Sequence, residues 1–187
     1  MGYPALADEA LIARLLDRSK IDQAYPLVRS LVPGITLGRW NAFVRPQLAV
    51  HSAAWPHGVM TIQNHKGYIL GLFSFEVRDD LYESRTLCID NIVVPSMPGR
   101  ELIWIAIADA TDQLAKMNDC RAVRAGLNEE LGSDADDRLW VGSSLQRSGY
   151  VLEGVRAFKR LDGEAIPAVP GKTGGGGSAD GRNQRRA

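Results

Sequence analysis

The 187 residues read as one α/β (α+β) domain with a mixed central sheet. Three observations lead there. Two strand-like runs, VMTIQ (59–63) and YILGLFSFEV (68–77), are joined by Asn64-His65-Lys66-Gly67, residues suited to a hairpin turn. TLCIDNIVV (86–94) is apolar at both parities, which marks a strand covered on both faces. A helical stripe then separates that strand from a further one, the pattern of a strand–helix–strand crossover.

In chain order, residues 10–17 (ALIARLLD) fit a strand or a short helix. The strand reading follows from Ser19 and Asp22, which resemble a capping box opening a separate helix at about 20–32. Pro33-Gly34 stops that helix. Thr36 caps a second helix through about Val50, with Leu37, Trp40, Ala42, Phe43 and Leu48 as its apolar members. The three strands already described follow. Pro95-Ser96-Met97-Pro98-Gly99 breaks the last of them, and a helix runs from about Arg100 to Met117. Its stripe Ile103, Ile107, Ala110, Leu114, Met117 has helical spacing and is expected on the sheet. A short strand, CRAVRAGL (120–127), precedes an acidic loop (Asn128 to Asp137). A helix then ends near Gly149, a C′ glycine, and YVLEGVRAFKRL (150–161) is the final strand. The order is β-α-α-β-β-β-α-β-α-β. Residues 1–165 form the single domain, and 166–187, with four consecutive glycines and a basic end, form a flexible tail.

Composition narrows the function. At 45% hydrophobic and 24% charged residues, the chain has enough apolar surface to fold. Lys and Arg balance Asp and Glu at 22 each, but the tail holds four basic groups and one acid, leaving 18 basic and 21 acidic residues in the body. An acidic body lacks the footprint of a nucleic-acid binder. The N-terminus carries acids where a signal peptide carries basic residues, and no apolar run approaches the ~20 residues that span a bilayer. Cys88 and Cys120 form no metal or redox motif and read as two buried thiols. These features point to the cytoplasm, with no membrane and no metal.

Taken together, order and local sequence resemble the GNAT acyltransferases over roughly residues 10–161. GYILGLFSFEV is similar to that family's third strand, which has a glycine in mid-strand, here Gly71. IDNIVVP is similar to its fourth strand, which ends V-x-P, here Val93-Val94-Pro95. Leu145-Gln146-Arg147-Ser148-Gly149-Tyr150 resembles the junction in which an aromatic follows glycine. The resemblance implies a GNAT-like mixed central sheet. It also implies transfer of an acyl group from acetyl-CoA or another acyl-CoA to a small-molecule or peptide amine, and it is compatible with a homodimer. The competing reading is a GNAT-like binding or regulatory domain without catalysis.

In that family, main-chain groups ending the fourth strand hold the pantetheine arm, and amides opening the next helix cradle the pyrophosphate. A helix N-terminus suits this, because its unpaired N–H groups and partial positive charge attract phosphate. Carried onto this chain, the arm lies along Ile92, Val93 and Val94, and the pyrophosphate over Met97, Gly99, Arg100 and Glu101. Asn128 falls where relatives place a CoA-contacting asparagine. The loop departs from the family's Arg/Gln-x-x-Gly-x-Gly/Ala. Here Pro98 replaces the basic lead residue, and Glu101 and Ile103 replace the two small ones, while Gly99 remains.

Amine acylation needs a base for the ammonium proton and an acid for the departing thiolate. Asp90 is the candidate base, since a carboxylate in an otherwise apolar strand is expensive to bury without a purpose or a partner. The family's usual acid, a tyrosine about four residues before the junction glycine, is replaced by Leu145, with Ser144 beside it. Tyr150 matches the packing aromatic. His51, His57 and His65 have no metal spacing, and Trp40, Trp104 and Trp140 read as packing anchors.

Overall fold

The computed structural model describes residues 10–48, 56–126 and 135–151. Its elements are β1 (Ile12–Leu15), α1 (Ile21–Leu31), α2 (Leu37–Gln47), β2 (His57–Gln63), β3 (Ile69–Asp80), β4 (Ser84–Val93), α3 (Arg100–Met117), β5 (Ala122–Ala125) and α4 (Ala135–Arg147). The five strands form one sheet in chain order. β1 to β4 pair antiparallel, and β5 joins β4 in parallel after the α3 crossover. This is the expected mixed α/β architecture. The expected last strand, apart from Tyr150 and Val151, and the tail lie outside the described residues.

Turn chemistry explains the hairpins. At Asn64–Gly67 the Gly67 amide donates to the Asn64 carbonyl at 2.9 Å, and Asn64 Oδ1 accepts from Lys66 N and Tyr68 N. Gly67 has φ +80°, a conformation that glycine adopts freely. At the β3–β4 tip, Asp80 Oδ1 accepts from Tyr82 N and Glu83 N, and these two bonds hold its carboxyl below the usual carboxylate range.

Helices cover both faces of the sheet. On one face Phe73, Phe75, Leu87, Ile89 and Ile92 pack with Ile103, Trp104, Ile107 and Leu114 of α3 and Leu145 of α4. On the other, Val59, Leu72 and Val93 pack with Ile21, Ala24 and Val28 of α1 and Trp40 and Val44 of α2. Trp40 also ties the two helices together, its Nε1 donating to the Ile21 carbonyl at 2.9 Å. α4 ends in a Schellman motif: Tyr150 N donates to Leu145 O at 3.1 Å and Gly149 N to Gln146 O at 3.0 Å, with Gly149 at φ +86°.

Several local expectations need correction. The N-terminal cap is Asp17, whose Oδ1 accepts from Ser19 N at 2.8 Å and Ser19 Oγ at 2.6 Å. Ser19 is therefore the donor, inside a short 3-10 turn (Arg18–Lys20) that leads into α1. Thr36 caps α2 as expected, accepting from Arg39 N at 3.1 Å, but α2 ends at Gln47. Its buried face is Trp40 and Val44, while Leu37, Ala42 and Phe43 are exposed. On α3, Met117 is 53% exposed, because burial of Trp104, Thr111 and Ala115 turns the buried face away from it and places Asn118 beneath instead. Cys88 and Cys120 are free and only half-buried.

Candidate functional site

β4 carries the irregularity around which the site is built. Its register with β3 runs evenly from Ser84 to Asp90 and then shifts, so that Ser74 faces Asp90 but Leu72 faces Val93. One residue more lies on β4 than on β3, a β-bulge, and Asn91 occupies it at φ +52°. Asparagine is among the few non-glycine residues that adopt this region readily. Side chains pin the bulge: Asn91 Nδ2 donates to Ser74 Oγ at 2.8 Å, and Ser74 Oγ donates to the Asp90 carbonyl at 3.0 Å. Sequence reasoning missed this feature. Its trace is Ile89 and Ile92, an odd number of residues apart yet packed in the same core.

The bulge coincides with the end of the β4–β5 ladder. The last register pair is Ile89 with Ala125, closed by Gly126 N donating to Ile89 O at 2.7 Å. β4 continues along β3 to Val93. On its other edge, beyond Ile89, no strand pairs with it among the described residues. Ile92 and Val93 bury their side chains, and Val94 packs against the α3 core. A ligand along this edge would therefore meet main-chain groups.

Asp90 is half-buried, and alternation puts its side chain on the sheet face of Ser74, Glu76, Arg78 and Cys88. That is the α1/α2 face, opposite α3. Arg78 donates to Glu76, and this bond holds the Glu76 carboxyl low and the guanidinium high. Burial pushes the Cys88 thiol up, with the Arg78 charge opposing, so Cys88 is a neutral thiol rather than a thiolate nucleophile.

The segment after β4 turns into α3 through Gly99, at φ 84° and ψ 9°, with no side-chain cap. Arg100 N donates to Met97 O at 3.2 Å and Leu102 N to Gly99 O at 3.0 Å. Pro98 has no N–H. The amides of Gly99 and Glu101 have no hydrogen-bond partner among the described residues, and with the helix dipole they offer a small anion site. Met97 anchors the loop by packing on the α3 core, and the Glu101 side chain is exposed.

Arg100 does not project freely from this turn. Its guanidinium carbon lies 4.1 Å from the ring centroid of Trp140 on α4, and Nη1 donates to Ser96 Oγ at 3.3 Å. Trp140 in turn packs edge-on against Trp104, with centroids 5.9 Å apart, and Trp104 Nε1 donates to Ser148 Oγ at 3.0 Å. The tryptophans are packing anchors, as their helical positions imply, but Trp140 also sets the position of a charged group.

Leu145 and Ser144, at the place where the resemblance expects a tyrosine, offer no acidic hydroxyl. Leu145 is 2% exposed within the α3 core, and the Ser144 hydroxyl accepts from Arg147 at 3.0 Å. The Tyr150 hydroxyl is pushed up to about 12 by burial first and the Asp112 charge second, which suits a packing aromatic. Asn128 and the acidic segment 129–134 lie outside the described residues. Among those described, no group of three metal-ligating side chains occurs and no helix is long and apolar enough to cross a membrane.

Neither a family model nor a curated protein matches this sequence. Solved structures do match. An aminoglycoside N-acetyltransferase in complex with CoA is similar over 81% of this chain and 95% of its own, with a TM-score of 0.63 and 17% identity. Glucosamine-6-phosphate N-acetyltransferase from Arabidopsis thaliana matches over 82% and 100%, with a TM-score of 0.57 and 15% identity. A GNAT family acetyltransferase from Staphylococcus aureus matches over 81% and 99%, with a TM-score of 0.59 and 15% identity. The chain has the fold of the GNAT acetyltransferases.

Proposed function

We propose that this chain is an acyl-CoA-dependent N-acyltransferase. The observation that carries the reading is the conjunction at β4: a strand with a bulge, a ladder to β5 that ends before it, and a helix N-terminus directly after it, two of whose amides have no partner among the described residues. In this reading the pantetheine arm lies along Ile92 to Val94, and the pyrophosphate meets the Gly99 and Glu101 amides. The amine approaches from the Asp90 face. It attacks the thioester carbonyl, a C–N bond forms and the C–S bond breaks. Asp90 takes the ammonium proton, directly or through water, and water protonates the leaving thiolate, since Leu145 supplies no acid. The same reading includes a cytoplasmic location.

Calorimetry with acetyl-CoA and longer acyl-CoAs tests the donor half, and release of free CoA thiol in the presence of small amines tests the transfer. Affinity for acyl-CoA without thiol release for any amine would favour a binding or regulatory domain, the reading to which Leu145 and Pro98 point. Absence of acyl-CoA affinity overturns both.

A further inference from the structure

We infer that Trp140 is a positioning residue for the acyl-CoA phosphates, holding Arg100 over the turn that opens α3. The inference rests on the acyl-CoA reading above. The loop pattern of the family begins with a basic residue where this chain has Pro98, so the usual cation is missing. Arg100 restores one, displaced by two residues. A side chain at the first position of a helix has many rotamers, and an arginine that must be ordered on binding loses much of its contribution. Here the ordering is already done. The Ser96 hydroxyl, 3.3 Å from Nη1, turns the guanidinium back over residues 96–100, and the Trp140 ring, 4.1 Å away, supports its flat face. Stacking uses the face of the guanidinium plane, whereas its donors lie in the edge, so the contact and phosphate recognition are compatible. Trp140 is held against Trp104, and Trp104 is hydrogen-bonded to Ser148. The charge at the start of α3 is thus set by a side chain 40 residues further along the chain.

The test is a double-mutant cycle on the full chain, reading the CoA dissociation constant by calorimetry, with melting temperatures to confirm folding. Trp140→Leu is expected to weaken CoA about fivefold, within the range of a partly desolvated cation–π contact, and Trp140→Phe to restore most of that loss. In the Arg100→Ala background, Trp140→Leu is expected to add nothing further. The parent's affinity should fall more steeply with added KCl than that of Trp140→Leu. Full additivity with Arg100→Ala, or a Trp140→Leu protein that binds like the parent, overturns the inference and leaves the acyl-CoA reading intact. A parent with no affinity for CoA overturns both. Should Trp140→Leu not fold, Arg100→Lys carries the test. Lysine keeps the charge without the planar stack, so it should bind more weakly than the parent and more tightly than Arg100→Ala, and parent-like binding would overturn the proposal.

Discussion

Gly71 on β3 lies directly beneath Ile103 on α3: a Cβ placed on Gly71 would sit 2.6 Å from Ile103 Cγ2 and 3.3 Å from the Val93 carbonyl oxygen. The first distance is below anything real Cβ atoms show. The missing side chain is what lets α3 close on the sheet beside the end of β4.

Gly71→Ala therefore sets two effects against each other. Strand propensity alone favours alanine by up to ~1 kcal/mol, but the contact forces α3 or the sheet to move, and overpacking of this kind costs about 1–3 kcal/mol. The contact should win. Denaturant unfolding is expected to show net destabilisation, and Gly71→Ala should cost less in an Ile103→Ala background than in the parent. A Gly71→Ala protein more stable than the parent would show that α3 is free to shift.

Asp90→Asn preserves shape and removes the charge. Turnover near neutral pH is expected to fall about a hundredfold, at the low edge of the range for general base catalysis, while acyl-CoA affinity stays within twofold of the parent. Steady-state rates with a fixed amine decide this. Equal activity removes Asp90 from the mechanism and leaves it a structural partner in the sheet.

Glu101 places a carboxylate beside the proposed phosphate position. Two unit charges ~5 Å apart repel by about 0.8 kcal/mol in bulk water and about 3.3 kcal/mol at an effective dielectric of 20. The exposure of the Glu101 side chain favours the smaller value. Removing the charge should tighten CoA about three- to fourfold, and Arg100→Ala should weaken it. Glu101→Gly does this at ~1 kcal/mol of helix propensity, so Glu101→Gln is the cleaner companion. Unchanged dissociation constants in both the Glu101 and the Arg100 variants would mean that phosphate is not held at this turn.

Tyr150 predicts behaviour in alkali. Its hydroxyl titrates at about 12 when folded, against an ordinary value of 10.0, chiefly because it is buried. Between these two values the native state keeps a proton that the unfolded chain has released, so stability falls as pH rises through that window. Tyr150→Phe should flatten this decline. Melting curves at a series of pH values measure it, and identical slopes would show that the ring is solvated.

Much of this fold was legible because periodicity and turn chemistry are local. α3 spans Arg100–Met117, the range expected from its periodicity, and the Asn64–Gly67 turn forms as its residues dictate. Gly71 was recognisable by resemblance, but its reason, the approach of Ile103, is a contact between residues 32 positions apart. The failures share that cause. Val44 rather than Phe43 is buried on α2 because α1 and the sheet meet that side of the helix. Asp17 competes with Ser19 as a cap, and two residues of spacing decide the outcome. For the site, Asp90 and the loop were visible, whereas the bulge at Asn91 and the partner of Arg100 depend on register and on a distant helix.

The bulge makes β4 one residue longer than the strand it pairs with, and that surplus separates what folding requires from what the proposed chemistry requires. Remove Asn91 altogether and Ile92 would follow Asp90 with unbroken alternation, each side chain still entering the core it enters now. A one-codon deletion at this position should therefore be inherited as a well-folded chain with an unbroken β3–β4 ladder. Away from the bulge, a single insertion or deletion in β4 would turn part of the strand inside out. At the bulge, chain length can be lost with the alternation intact, so a lineage that shed Asn91 would keep the architecture and lose the geometry on which the proposed site depends.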